Sequence, residues 1–275
     1  MKVVGLLRVR NESAIIQESL DHLAQYAQEI YVYDDQSEDD TVKICQAHPS
    51  VKEIIVNNNW SRDGSVVRQG EQRQAILELA RYRSNPSPDW FIYMDGDERF
   101  EERFTPEVME NFLRIREKKG HLAVLFRFFS FCITEEDKGD DIHYTQRRWV
   151  DPRYIFVPQI FRNRSKIHFT YGADKRVYGM TKNETFLSEY RIKHYGQARS
   201  LVHFQVKKKH YTTHMPVLAG LWEGKDGIYN PGNLVLWDDI LEGKGDLRCV
   251  NKKEWHVAHH FKEEAKKWAP GKKNQ

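Results

Sequence analysis

Residues 29–41 read EIYVYDDQSEDDT and residues 90–98 read WFIYMDGDE. Each is an apolar run, rich in β-branched and aromatic residues, that stops abruptly at acidic ones. Such a run fits a strand buried on both faces, and the polar turn after it marks the strand's carboxyl end. The same pattern recurs on either side. Val3 to Arg8 is a buried-strand run that opens onto Arg10-Asn11-Glu12. Asn11 or Ser13 is placed to cap a helix whose apolar positions Ile16, Leu20, Leu23 and Ala27 share one face. A helix over about 40–47 precedes Pro49, and Val51 to Val56 is a further strand. A helix over 69–82 turns Ile76, Leu79 and Ala80 inward, and Asn85-Pro86-Ser87-Pro88 breaks the chain before the next strand, Trp90 to Met94.

Strand–helix alternation predicts an α/β fold, a mainly parallel sheet with helices on both faces. Ligands of such sheets bind beyond the carboxyl ends of the strands. Arg10-Asn11-Glu12, Asp34-Asp35 and Asp95-Gly96-Asp97 are therefore expected on one edge. The second half is less regular. Pro106 to Lys118 reads as a helix, Ala123 to Phe131 as a strand, and 134–153 as a long loop. Short strands are expected around Ile160, Val177 and Ile192, and helix from Leu201 onward. The expected organisation is a catalytic domain over 1–200 and a mostly helical extension over 201–275.

The composition narrows the function classes. A chain of 275 residues with 7 Trp, 13 Tyr and 14 Phe needs a packed core and is not a disordered protein. Its apolar runs are far shorter than the roughly 20 residues of a membrane-spanning helix. MKVVGLLRVRNES lacks the apolar core and cleavage site of a signal peptide, so a cytoplasmic protein is expected. Cys45, Cys132 and Cys249 are odd in number and widely spaced, which suits a reducing compartment rather than a disulfide framework. The 43 basic and 40 acidic residues nearly balance, and no nucleic-acid partner is expected. Residues 201–275 are mildly basic. That tail has three readings: a solvated helical surface, contact with the inner face of a membrane, or the pairing of two subunits.

Two carboxylates one residue apart, on the turn after a strand, can both face a hard cation such as Mg²⁺ or Mn²⁺. Asp95 and Asp97 have that arrangement, and Gly96 between them lets a ligand approach the backbone. Asp35, at another strand end, suits hydrogen bonds from a nucleobase or ribose, while Asp39 suits the start of the next helix.

RVRNESAIIQESLDHL (8–23), EIYVYDDQSEDDTVKIC (29–45), GEQRQAIL (70–77) and WFIYMDGDE resemble, in order and spacing, the pattern of glycosyltransferase family 2. Gln74 stands where the family usually has Asn. The resemblance implies the GT-A fold, a nucleoside-diphosphate sugar as donor, and Mn²⁺ or Mg²⁺. It implies that Arg10, Asn11, Glu12 and Asp35 surround the nucleoside and that Arg73 approaches the base or diphosphate. Asp95 would touch the ribose or the metal, and Asp97 would ligate the metal. PQIFRNRSKIHFTYGADKRV (158–177) is similar to a segment of lipopolysaccharide-core-type members, without their His-Glu pair. Asp174 is then the first candidate for the catalytic base and Asp151 the second. RIKHYGQA (191–198) resembles a later family segment and makes His194 a metal or diphosphate ligand. The implied activity is a metal-dependent, inverting transfer to a saccharide or lipid-linked acceptor in surface polysaccharide or lipopolysaccharide synthesis.

Two other classes compete. Nucleotidyltransferases also use carboxylates and Mg²⁺, but the turn after the first strand lacks their glycine-rich loop. A non-catalytic sugar binder on the same fold is opposed by the intact Asp95 and Asp97, yet the missing His-Glu pair is consistent with it. His256, His259 and His260 have helical metal-site spacing without an acidic or cysteine partner. Lys207-Lys208-Lys209 reads as a solvated face or as a site for an anionic acceptor. Trp60, Trp149, Trp222 and Trp237 could stack on sugar rings or fill the core.

Overall fold

The computed structural model describes residues 1–59, 68–139, 141–170, 177–214 and 225–250. Asp174, Trp60, Trp222 and the histidines at 256, 259 and 260 lie outside the described residues. The chain divides into two compact units, residues 1–126 with 156–190 and residues 127–155 with 191–275. This division follows spatial contact and interleaves the chain, unlike a single cut at residue 200.

The first unit opens with the alternation expected from the sequence. The strands are β1 (Val3–Val9), β2 (Glu29–Asp34), β3 (Val51–Val56) and β4 (Trp90–Asp95). The helices between them are α1 (Ile16–Ala24), α2 (Thr41–Ala47) and α3 (Gln69–Arg83). Then follow β5 (Glu98–Phe100), α4 (Pro106–Lys118), β6 (Ala123–Phe131), β7 (Trp149–Arg162) and, after β8 (His168–Phe169) and β9 (Val177–Tyr178), β10 (Thr185–His194). The sheet order is β3-β2-β1-β4-β7-β6-β10-β5. Strands β1, β2, β3 and β4 pair in parallel, and β7 runs antiparallel to β4.

Alternation along the strands sorts the two faces. Val4 and Leu6 of β1, Tyr31 of β2, and Phe91 and Tyr93 of β4 pack with Ile76, Leu77 and Ala80 of α3. On the other face Gly5 lies against Leu23 of α1 and Ile30, so close that a Cβ there would come within 2.8 Å of the Leu23 side chain. Each fully buried Leu, Ile or Phe of such a core contributes about 1.5–3 kcal/mol.

Several local expectations need correction. Neither Asn11 nor Ser13 caps α1; Ile15 stands at its N-cap, and the Glu12 carbonyl accepts from the amides of Ile15 and Ile16 at 2.9 Å. The loop expected over 134–153 contains a 3-10 turn at Tyr144–Gln146 and the start of β7, a strand of 14 residues. In the second unit the described residues of the extension, 201–214 and 225–250, include short strands as well as helix. Among its described residues are α5 (Leu201–His214), β11 (Val235–Leu236), α6 (Trp237–Leu241) and β12 (Arg248–Cys249). Strands β11 and β12 both pair with β7. Phe131, Tyr195 and Trp237 form its aromatic centre, with Lys193 Nζ 5.5 Å from the Phe131 and Trp237 rings. Trp237 is thus a core residue. All three cysteines are free. Among the described residues no helix is long and apolar enough to cross a membrane.

Candidate active site

The connections β1–β2–β3 run to one side of β1 and the chain returns on the other side as β4, so the strand order reverses between β1 and β4. A reversal of this kind opens a crevice at the carboxyl edge. The register sets what faces it: Arg8 lies abreast of Asp95, and Val9 abreast of Asp34.

The loops after β1 and β2 are stapled together at this edge. The Asn11 amide donates to Ser37 Oγ at 2.9 Å, and the Glu38 amide donates to Asn11 Oδ1 at 2.8 Å. The Glu12 amide donates to Thr41 Oγ1 at 2.8 Å, and the Ser13 amide donates to Asp39 Oδ2 at 3.1 Å. Arg10 donates to the carbonyls of Asp35 and Gln36. Asn11 and Gln36 hold φ values of 51° and 59°, in the left-handed region that non-glycine residues avoid. The staples hold that conformation against a cost of roughly 1–2 kcal/mol per residue. Asp39 is the structural aspartate of the pair of loops. Burial pushes its carboxyl up, but hydrogen bonds from Thr41 and Ser13 outweigh burial and hold it below its ordinary value.

Asp35 is 1 % exposed and its carboxylate accepts hydrogen bonds from three side chains. Its Oδ2 accepts from Arg8 at 2.8 Å, and its Oδ1 from Asn57 at 2.9 Å and from Gln72 at 2.8 Å. Arg8 Nε also donates to Gln72 Oε1. The carboxylate therefore ties β1, β2, the end of β3 and α3 into one polar floor. Sequence reasoning missed Arg8, Asn57 and Gln72, because their partners lie 22 to 64 residues away. The one available signal was a polar residue inside an otherwise apolar strand, as at Arg8.

Asp95, Gly96 and Asp97 form the opposite wall. Arg99 donates to the Gly96 carbonyl at 3.1 Å and to Ser19 Oγ of α1 at 3.0 Å. Glu98, 1 % exposed, accepts from the Asp95 amide at 3.2 Å and from Gln159 at 2.8 Å. The Asp95 carboxylate accepts from Tyr93 OH at 2.6 Å, and that hydroxyl accepts from Arg73 Nε at 2.8 Å. Asp97 is 5 % exposed. Gly96 has ordinary backbone angles, and a Cβ there would meet the Glu12 side chain at 3.6 Å. Glu12 thus flanks the turn. The fold does not require glycine at 96, whereas close approach of a ligand would.

Seven predicted residues, Arg10, Asn11, Glu12, Asp35, Arg73, Asp95 and Asp97, belong to the first unit. Asp151 and His194 belong to the second. Asp151 is gripped by Arg153, whose Nε and Nη2 donate to its two oxygens at 2.9 and 2.6 Å. His194 Nδ1 lies 3.2 Å from Ser130 Oγ, and its ring lies 4.7 Å from that of Phe128. Lys207 and Lys208 are anchored on the carbonyls of Gly196 and Lys225, which leaves Lys209 as the exposed member of the basic run. Among the described residues no group of three or more His, Cys, Asp or Glu is arranged to hold a metal ion. An open groove of about 390 Å³ in the first unit is lined by Leu125, Phe156, Pro158, Tyr178 and Met180, with no carboxylate in its lining.

A family model described as glycosyl transferase family 2 matches residues 7–173, more than half of the chain. Uncharacterised proteins of Mycobacterium bovis and Mycobacterium tuberculosis are each 26% identical over 98 residues, which is 35% of this chain and 23% of the relative. The aligned stretch is thus less than a quarter of those relatives' length. Among solved structures, S. aureus TarS 1-349 is similar at 16% identity and a TM-score of 0.35, over 59% of this chain and 47% of that one. Glucosyl-3-phosphoglycerate synthase from Mycobacterium tuberculosis, in complex with Mg²⁺ and uridine-diphosphate, is similar at 20% identity and a TM-score of 0.32. That likeness covers 47% of this chain and 43% of the synthase.

Proposed function

This chain belongs to glycosyl transferase family 2, and we propose that its first unit binds a nucleoside-diphosphate sugar at the β1/β4 crevice and transfers the sugar to an acceptor hydroxyl. The observation that carries the proposal is the meeting of three strand ends there, with Arg8 abreast of Asp95 and the Asp95-Gly96-Asp97 turn beside Glu12. In this reading Arg10, Asn11, Glu12 and Asp35 frame the nucleoside pocket. Asp35 does so as its floor, since its oxygens are engaged by Arg8, Asn57 and Gln72. Arg73 serves the diphosphate side.

The donor set fits a divalent cation of one kind. Two neighbouring carboxylates, with no group of three or more His, Cys, Asp or Glu gathered for a metal among the described residues, suit Mg²⁺ or Mn²⁺, which complete their coordination with water and substrate phosphates. Asp97, with Asp95, would hold that cation, whose chemistry is to neutralise charge developing on the leaving diphosphate. His194 is retained as a candidate ligand of the cation or the diphosphate.

The reaction breaks the bond between the anomeric carbon and the diphosphate oxygen, and the electron pair leaves with the diphosphate. The acceptor oxygen forms the new bond from the opposite face, inverting the centre, and its proton passes to a base. Asp174 is the first candidate for that base. Asp151, whose two oxygens accept from Arg153, is second. We assign the acceptor to the saccharides or lipid-linked saccharides of surface polysaccharide synthesis, on the motif resemblance.

The test is the melting midpoint of the protein with UDP, GDP, ADP, CDP and dTDP in turn, with and without Mn²⁺. A ligand at 100 times its dissociation constant adds about 2.7 kcal/mol, a shift of several degrees. One diphosphate should shift the midpoint, and only with Mn²⁺. No shift with any of them contradicts the proposal. A shift without turnover on a panel of saccharide acceptors would favour the non-catalytic binder.

A further inference from the structure

Tyr93 is completely buried in the layer between the sheet and α3, with its ring edge-on to Phe169 at 5.3 Å. A phenylalanine would fill that place equally well. A hydroxyl in such a position costs desolvation unless it is spent on hydrogen bonds. Here it accepts from Arg73 Nε at 2.8 Å and donates to Asp95 Oδ1 at 2.6 Å. The two partners come from α3 and from the end of β4, and Gln69 further orients Arg73 by accepting from its Nη2 at 3.1 Å. The hydroxyl thus links the helix to the acidic turn.

We propose that Tyr93 is a positioning residue for donor binding: its hydroxyl fixes the Asp95 carboxylate and holds Arg73 in register with it. The proposal rests on the glycosyltransferase reading of the site. It separates two jobs that one residue combines, since the ring belongs to the core and the hydroxyl to the site. A side chain locked from behind holds its carboxylate within the few tenths of an ångström that binding geometry requires.

The test is Tyr93→Phe, with binding measured by calorimetry for UDP, GDP, ADP, CDP and dTDP in the presence of Mn²⁺. Kd of the diphosphate that the wild type binds should rise about tenfold or more, and KM for the matching sugar donor should rise with it. Combined with Asp95→Ala, the losses should be less than additive, because both substitutions remove the same bond. Unchanged Kd and KM in Tyr93→Phe, or fully additive losses, would overturn the proposal while leaving the donor reading intact. Wild-type protein that binds none of the diphosphates would overturn both. If Tyr93→Phe does not fold, 3-fluorotyrosine placed at position 93 reads the same contact. Its fluorine resonance should move when Mg²⁺ and the diphosphate are added, and an unmoved resonance would overturn the proposal.

Discussion

Arg8 and Asp35 form an ion pair across neighbouring parallel strands, 2.8 Å from Nη2 to Oδ2, with the carboxylate side chain 1% exposed. Breaking a buried pair from one side leaves the other charge uncompensated, at a cost of roughly 3–5 kcal/mol for full burial. Arg8 keeps 15% exposure, so Arg8→Met should cost less, about 2–3 kcal/mol. Asp35→Ala should cost more than Arg8→Met, because Asn57 and Gln72 also lose their acceptor. Urea midpoints measure both. Equal stability of Asp35→Ala and wild type would show that the floor of the site is not built on this pair.

The loops after β1 and β2 should loosen in acid. Hydrogen bonds hold the Asp39 carboxyl below its ordinary value against the opposing effect of burial. A depressed carboxylate contributes stability above its unfolded value of about 4 and loses it as pH falls through the depressed folded value. Asp39→Ala should lose stability at pH 7, by about 1 kcal/mol for its hydrogen bonds, and should show a smaller further loss than wild type between pH 5 and pH 2. Urea midpoints across that range check this. Parallel curves for the two proteins would contradict it.

Two glycines with ordinary backbone angles should respond in opposite ways. A methyl group at Gly5 would come within 2.8 Å of Leu23, so Gly5→Ala should cost about 1–3 kcal/mol of overpacking. A methyl group at Gly96 would rest 3.6 Å from Glu12, so Gly96→Ala should keep the melting midpoint within a degree or two. Its effect should fall on the donor, with binding weakened about tenfold or more where the ligand approaches the backbone. A destabilised Gly96→Ala, or one with wild-type donor binding, would contradict this reading.

The cysteines should separate by reactivity. Burial pushes the thiols of Cys45 and Cys132 up to about 12, so few are thiolates at neutral pH. Cys249 is exposed. A colorimetric thiol reagent at pH 8 should find Cys249 in the native protein and the other two only after unfolding. Fast labelling of Cys132 in folded protein would contradict the packing of the second unit.

The strands β1 to β4 and the helices α2, α3 and α4 were legible because each apolar run ends at a polar turn within one or two residues of the observed boundary. The meeting of Asp35 and Asp95 at one edge followed from the same alternation. β5 was missed because Glu98-Arg99-Phe100 is short and charged, and its burial depends on Gln159, far along the chain. The start of β7 was read as loop because Asp151, Pro152 and Arg153 interrupt its apolar residues, while the strand gains its partners from β11 and β12. Asn11 was expected to cap a helix; its side chain instead binds the Glu38 amide from a left-handed backbone. Local pattern carries strand ends well. It carries little about which distant side chain, such as Gln72 or Tyr93, will reach them.

In the proposed site Asp97 and Asp95 hold a divalent cation only together with a nucleoside diphosphate. The direct measurement is free Mn²⁺ by electron paramagnetic resonance, titrated into wild type and Asp97→Asn with and without the diphosphate that shifts the melting midpoint. Wild type should deplete free Mn²⁺ well beyond the diphosphate's own binding when both are present. Little depletion is expected without the nucleotide, and none beyond the diphosphate's own in Asp97→Asn. Equal depletion by the two proteins, or none by wild type with the diphosphate present, would contradict it.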